Sequence, residues 1–139
     1  MSAKTLEPSL AVCALAAAGD AIITVDAGGR ITFWNQAAQR LLGYSPQDAV
    51  GQTLALIIPP EDRPRHMAAF HAAIEGGHLA HGGVVARVEA TTASGGKLAL
   101  GLSLGLLLRD DLTAAGVVAV LRPLGQAVAE FVSAKSVPA

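Results

Sequence analysis

The sequence predicts an α+β fold, in which a five-stranded antiparallel sheet carries short helices on one face and is flanked by helices at the termini. Three observations predict it: a β-rich hairpin pattern over residues 21–34, capped helical segments from Asn35 to Gly77, and three strand-like runs from residue 84 onward. Such an order of elements can form one sheet, with a cavity between the sheet and the helices that cover it.

The composition is that of one well-filled domain. The 139 residues suit a single domain, and they are 52% hydrophobic and 15% charged. The longest apolar run, 98–108, is interrupted by Gly101, Ser103 and Gly105, whereas a membrane span needs about 20 nearly uninterrupted apolar residues. The net charge is −1 and the Lys and Arg residues are scattered, which argues against a nucleic-acid-binding face. We therefore expect neither a membrane nor a nucleic acid as a partner.

The N-terminal stretch, residues 1–18, is predicted to be an amphipathic leader helix. Its apolar patch has only Lys4 as a positive flank, which argues against a signal peptide. Cys13 is the only cysteine and can form neither an internal disulfide nor a metal cluster, so a reducing cytoplasm is the expected location. The predicted organisation is this leader, a central domain over residues 19–123, and a C-terminal helix and tail over residues 124–139.

Caps and glycines mark the helices in the first half of the chain. Asn35 follows the hairpin as a preferred N-cap, and Gly43 ends the first helix in the manner of a residue with positive φ. Ser45 as N-cap and Pro46 at the first helical position then begin a second, very short helix, which Gly51 closes. A longer helix is predicted to begin in the proline-rich segment 59–64 and to run to about Glu75.

The last third of the chain changes to strand-like patterns. The predicted strands cover residues 84–92, 97–108 and 115–121, and the segments 93–96 and 109–113 have the composition of hairpin connections. Three sequential antiparallel strands therefore follow the helices.

Five short motifs, in this order and at this spacing, resemble the N-terminal half of PAS domains, a family of sensory modules. They are GDAIITVD at 19–26, GRI at 29–31, WNQAA at 34–38, LGYS at 42–45 and VG at 50–51. In the later half, residues 116–122 correspond to the last strand of the family, and Ser94 begins a turn where the family usually has Asp-Gly. The resemblance covers residues 10–123 and implies a PAS fold that senses a signal and passes its state to a partner or effector domain.

The candidate ligand residues are the four histidines: His66, His71, His78 and His81. On the predicted long helix Met67, Phe70 and Ile74 form the apolar stripe, and His66 and His71 flank it on opposite sides. Periodicity does not choose between these two. The other two histidines lie beside glycines and are predicted to be surface loop residues.

The segment 58–66 is similar to its counterpart in the haem-binding PAS domains of oxygen-sensing histidine kinases and of the direct oxygen sensor phosphodiesterase. This resemblance implies b-type haem as the ligand and His66 as its axial metal ligand, since a neutral imidazole binds iron well. Leu102 and Leu104 correspond to aliphatic residues that face the haem, and Arg87 is the nearest counterpart of an arginine that steadies bound oxygen. The predicted haem-binding residues are His66, Met67, Phe70, Arg87, Leu102 and Leu104.

Two other ligand assignments stay open beside haem at His66. His71 is the alternative axial ligand. A flavin would have to use Trp34 and Asn35, and photochemistry through a cysteinyl flavin adduct is excluded because no cysteine follows Cys13.

The remaining hypotheses concern partners and catalysis. An arginine followed three residues later by a histidine also occurs in PAS domains without haem, so a cofactor-free interaction module is the alternative function. Such a module would form a homodimer through the leader helix and the open sheet face. An enzyme is not expected, and no catalytic residue is assigned, because Ser, His and Asp are dispersed without a nucleophile elbow or a phosphate-binding loop.

Overall fold

The structure, a computed structural model, describes residues 8–79 and 86–124. The helices are α1 (Pro8–Ala17), α2 (Gln36–Leu42), α3 (Pro46–Ala49) and α4 (Arg63–Gly76), with two short 3₁₀ helices at Leu54–Ile57 and Pro60–Asp62. The strands are β1 (Ala21–Asp26), β2 (Ile31–Trp34), β3 (Ala86–Thr91), β4 (Lys97–Leu108) and β5 (Ala114–Pro123). The C-terminal helix predicted beyond Leu124, and His81, lie outside the described residues.

The five strands form one antiparallel sheet, as predicted, in the order β2-β1-β5-β4-β3. The hairpin β1–β2 occupies one edge and β3 the opposite edge. The chain between β2 and β3 must therefore cross the full width of the sheet, and it does so through α2, α3, both 3₁₀ helices and α4. This crossing covers one face of the sheet with helices and positions the candidate site between the two layers.

The predicted caps are confirmed. The Asn35 side chain accepts a hydrogen bond from the Ala38 amide at the start of α2, and the Ser45 side chain accepts one from Asp48 at the start of α3. Gly43, with φ of 88°, ends α2 in the left-handed region that favours glycine. These local signals stop each short helix where the chain must turn across the sheet.

Asn35 does more than cap α2. It is only 2% exposed, and its oxygen also accepts a hydrogen bond from the Ile22 amide at 3.0 Å. Its amide nitrogen donates to the carbonyl oxygens of Leu15 and Asp20, each at 2.9 Å. One buried side chain therefore joins the end of α1, the start of β1 and the start of α2.

The amphipathic character predicted for the leader helix is wrong for Pro8–Ala17. This segment carries no charged residue, and only Ser9 has a polar side chain, so α1 is apolar on every side. Leu10 and Val12 are 56% and 55% exposed, and Leu15 is 38% exposed. The described helices include none with the length and apolar character that a bilayer crossing requires.

Candidate functional site

An apolar cavity of about 220 Å³ lies between α4 and the helix-covered face of the sheet. The helix contributes His66, Ala69, Phe70 and Ala73. The strands contribute Ile23, Val25, Val88, Glu89, Ala90, Leu102, Leu104, Val117, Ala119 and Leu121. Leu54, Ile57, Ile58 and Leu79 complete the wall.

Strand alternation explains the sheet side of the cavity. Successive side chains of a strand point to opposite faces, so Leu102 and Leu104 of β4 share one face. In the register of the sheet, Ala119 of β5 pairs with Ile23 on one side and with Leu104 on the other. The methyl group of this central alanine leaves space that a larger side chain would fill.

The helix side of the cavity follows a helical stripe of small residues. His66, Ala69, Phe70 and Ala73 stand at positions i, i+3, i+4 and i+7, which share one face of a helix. Two alanines in this stripe keep α4 from filling the space above the sheet. The cavity therefore owes its volume to short side chains on both walls.

Met67, predicted to contact the ligand, lies outside this wall. Its Cε atom is 3.4 Å from the position that a Cβ on Gly29 would take, so the side chain packs over the β1–β2 turn. The prediction centred the apolar stripe on the large side chains Met67, Phe70 and Ile74. The cavity lies to one side of that stripe, because the alanines define it.

The structure distinguishes the two histidines of α4. His66 is half-buried and lines the cavity, whereas His71 is exposed. The His71 ring packs edge-on against Phe70, with ring centroids 5.6 Å apart. His78 is also exposed, so His66 is the histidine that the described residues bring to the cavity.

A second, more polar cavity of about 280 Å³ adjoins the first at His66. It is lined by Asp62, Arg65, His66, Arg87, Val88 and Glu89, of which the histidine, the valine and the glutamate also line the apolar cavity. Arg65 and Asp62 form an ion pair of 3.2 Å on its rim. The His66 ring therefore stands between an apolar interior and a charged opening.

Arg87 lies in this outer cavity and not in the apolar one. Along β3, Arg87 and Glu89 are exposed, while Val88 and Ala90 are half-buried and buried. Alternation therefore directs the arginine away from the face that holds the cavity. Of the predicted ligand residues, His66, Phe70, Leu102 and Leu104 line the apolar cavity, Arg87 shares only the outer cavity with His66, and Met67 lines neither.

An exposed ion pair joins the 3₁₀ helix that precedes α4 to the start of β4. Lys97 Nζ on β4 donates to Glu61 Oε2 at 2.6 Å. This hydrogen bond lowers the pKa of Glu61 from 4.5 and raises the pKa of Lys97 from 10.5. Because the folded pKa of Glu61 is depressed, its stabilisation is present above the ordinary carboxyl pKa and is lost as the pH falls through the folded value.

We expect Glu61→Gln to lower the Tm slightly at pH 7, since an exposed pair contributes little. The difference from the wild type should shrink as the pH falls below 4.5, the ordinary pKa of the carboxyl, and vanish once the carboxyl is protonated in both the folded and the unfolded state. Thermal melts followed by circular dichroism, at pH 7 and at a series of lower pH values, measure this. A difference that persists undiminished in acid would show that Glu61 acts through packing and not through its charge.

The metal-ligating side chains around the cavity limit how a metal could be held there. Within residues 8–79 and 86–124, no three His, Cys, Asp or Glu side chains are grouped so that they could hold an ion. A single imidazole can still hold a metal whose other ligands come from an organic cofactor.

Sequence reasoning missed most of the cavity wall. The alanines of α4 carried a usable signal, because their spacing from His66 matches a helical face. Alternation likewise pairs Val117 with Ala119 on one face of β5. The sequence carried no comparable signal for Ile57 and Ile58, which lie at the end of a 3₁₀ helix.

Comparisons with known proteins agree on one family. Residues 13–96 match the family model described as PAS fold. The sensor protein FixL of Bradyrhizobium diazoefficiens is 43% identical over 47 residues, which are 34% of this chain and only 9% of that protein's length.

Two solved structures support the fold. The PAS domain of a protein from Colwellia psychrerythraea has a TM-score of 0.72 at 21% identity, covering 84% of this chain and 95% of that one. An RNA-binding light-oxygen-voltage receptor has a TM-score of 0.74 at 17% identity, covering 94% of this chain and 38% of that one. At these identities the likeness establishes the architecture alone.

Proposed function

The chain belongs to the PAS fold family, and on that premise we propose that it is a signal-sensing domain that binds b-type haem, with His66 as the axial ligand. The observation that carries the proposal is the half-buried imidazole of His66 on the wall of a largely apolar cavity. The resemblance of residues 58–66 to haem-binding PAS domains supports the choice of cofactor. The match to a sensor protein supports the sensory role.

A ligand as large as haem would need the volume of both cavities. Pockets for drug-sized ligands begin at about 300 Å³, so the apolar cavity of about 220 Å³ is too small alone. The outer cavity of about 280 Å³ shares three wall residues with it, and together they reach that range. A flat cofactor with an apolar body and an anionic edge matches this division, because Arg65 and Arg87 line the outer part.

When bound, haem would supply an iron that changes oxidation state or takes a gas as a ligand. His66 would hold the iron, and Phe70, Leu102 and Leu104 would exclude water from the cofactor. A shift of the sheet would reach α1 through Asn35, whose side chain bonds to both α1 and β1. We propose that residues 19–123 form the sensing unit, in the cytoplasm, and that the flanking segments carry its state to a partner or effector.

Titration of the purified protein with hemin, followed by visible absorption, tests the assignment. We expect a Soret band in the wild type and at least about a tenfold weaker haem affinity in His66→Ala, because removal of even an outer-shell partner of a metal ligand costs that much. His71→Ala is the matched control, since it removes a histidine five residues further along the same helix, on its other flank. If the Soret band is lost in His71→Ala and kept in His66→Ala, the iron is bound by His71 and the proposed ligand is wrong.

A second candidate, a cofactor-free homodimerisation module, is favoured by the exposed apolar surface of α1. Leu10 and Val12 are more than half exposed, and together with Leu15 they give α1 an apolar surface that a second copy could cover. If this function is the main one, hemin gives no Soret band, and the double change Leu10→Ser and Val12→Ser converts a dimer to a monomer in sedimentation equilibrium.

A further inference from the structure

We propose that the C-terminal segment, residues 126–135, folds back as a helix onto the exposed apolar face of α1, so that the two ends of the chain pair beside the sheet. The inference goes beyond the proposed function, because it holds with or without haem. Residues 125–139 lie outside the described residues, and their sequence has the pattern that such a helix needs.

The described residues leave one apolar face of α1 uncovered. Leu10 on this face is 56% exposed. The residues that follow it on the same helical face, at i+3, i+4 and i+7, are exposed as well: Cys13, Ala14 and Ala17. The helix carries no charged residue that would favour contact with water. Because apolar surface gains free energy on leaving water, this face favours a further apolar helix as its neighbour.

The sheet brings the start of the C-terminal segment close to the end of α1. Ala21, the first residue of β1, pairs with Leu121 near the end of β5. The ion pair between Asp20 and Arg122, 2.9 Å from Oδ2 to Nε, continues this pairing. The amide of Leu124 is held as well, since it donates to a carbonyl oxygen of β4 at 3.0 Å. α1 therefore enters the sheet, and the C-terminal segment leaves it, at the same end of two adjacent strands.

The sequence of the C-terminal segment predicts a helix with one apolar face. The apolar residues of that face, at i, i+3 and i+4, are Val128, Phe131 and Val132. By the same period, the polar residues of the opposite face are Gln126, Glu130 and Ser133. A short helix of this kind owes its stability mainly to packing of its apolar face. Its apolar face therefore needs a surface such as the one that α1 offers.

The lengths and the register of the two segments match. α1 has 10 residues, and a helix over residues 126–135 would share its length of about 15 Å. Counted outward from the pair Ala21 and Leu121 at equal rise, Ala14 is level with Val128 and Leu10 with Val132. The apolar residues of the C-terminal segment thus face the exposed residues of α1.

A second copy of the chain could cover the same face, but the C-terminal segment has the advantage of its tether. It begins a few residues from the end of α1, so its effective concentration at that face is on the order of millimolar. The proposal therefore commits to the C-terminal segment of the same chain as the occupant.

Disulfide trapping in the full chain tests the contact, because Cys13 is the only cysteine. Val128→Cys places a second thiol on the proposed inner face, and we expect diamide to oxidise the two thiols to a disulfide within one chain. Glu130→Cys is the matched control, since its side chain would point to the opposite face, and we expect its thiols to stay reduced. Non-reducing electrophoresis and intact mass at several protein concentrations measure both.

The reactivity of Cys13, without an introduced cysteine, is a second measurement. Phe131→Ser removes the largest apolar side chain of the C-terminal segment. We expect Cys13 to react with DTNB about tenfold faster in this variant, because losing the burial of one such side chain weakens a docking contact by at least that factor. Glu130→Ser, on the opposite face, should leave the rate unchanged.

Three results of the trapping experiment would overturn the proposal. A disulfide of Val128→Cys that links two chains assigns the cover of α1 to a second copy. Equal oxidation of Val128→Cys and Glu130→Cys means that no single face of the segment meets α1. Thiols of Val128→Cys that stay reduced mean that the segment does not reach Cys13. Haem binding enters none of these measurements, so each result leaves the proposed function to its own test.

Discussion

Replacement of Asn35 by alanine is expected to lower the free energy of unfolding by about 3–4 kcal/mol, because four hydrogen bonds to backbone groups of three elements are lost at once. The side chain is almost wholly buried, so the partners that it leaves are shielded from water. An N-cap alone contributes only about 1 kcal/mol, and the remainder comes from the amide and carbonyl groups left without a partner. Urea unfolding followed by circular dichroism measures the change.

Ser45→Ala is the matched control for this prediction. Its side chain caps α3 by a single hydrogen bond to the Asp48 amide, at the surface of the domain. We expect a loss of about 1 kcal/mol there. Equal losses in the two variants would contradict the role of Asn35 as the junction of α1, β1 and α2.

Replacement of Gly116 by alanine is expected to destabilise the domain by about 3 kcal/mol or more, the upper range for overpacking. Gly116 lies on the central strand β5, opposite Asp26 of β1. A Cβ at this position would overlap the carbonyl oxygen of Val25, a backbone atom that cannot rotate away. The two strands would have to separate, which would disturb the sheet wall of the cavity at Val117.

Gly105→Ala is the control in the same sheet. The added Cβ would stand 3.3 Å from Cγ1 of Val118, a side-chain atom that can move. We expect a change below about 1 kcal/mol, since alanine also suits a strand better than glycine. Unfolding curves for the two variants that coincide with each other would be incompatible with the close approach of β1 and β5.

The helices and hairpins could be predicted because their signals are local. Asn35, Gly43 and Gly51 act within a few residues of their own position, and the structure confirms each element that they bound. The pairing of β1 with β5 is of another kind, since it joins Ala21 to Leu121 across most of the chain. The antiparallel sheet was predictable from the number and spacing of strands, but its order was not.

The site was predictable only in part, for a related reason. His66, Leu102 and Leu104 were identified through family resemblance and Phe70 through the apolar stripe of the predicted helix, and all four line the cavity. Met67 was included because a large apolar side chain was taken to mark the inner face of α4, and its side chain does not line the cavity. A cavity is defined by the side chains that fail to fill it. Alternation places Ala119 on the inner face of β5, but it does not show that the space above this alanine stays empty.

The most direct test of the account is a crystal structure of the protein after loading with haem. We predict one haem per chain between α4 and β4, with its iron bound to a ring nitrogen of His66 and its carboxylates toward Arg65 and Arg87. Iron bound to any other residue would contradict this account. So would a cavity that remains empty of haem in protein saturated with hemin.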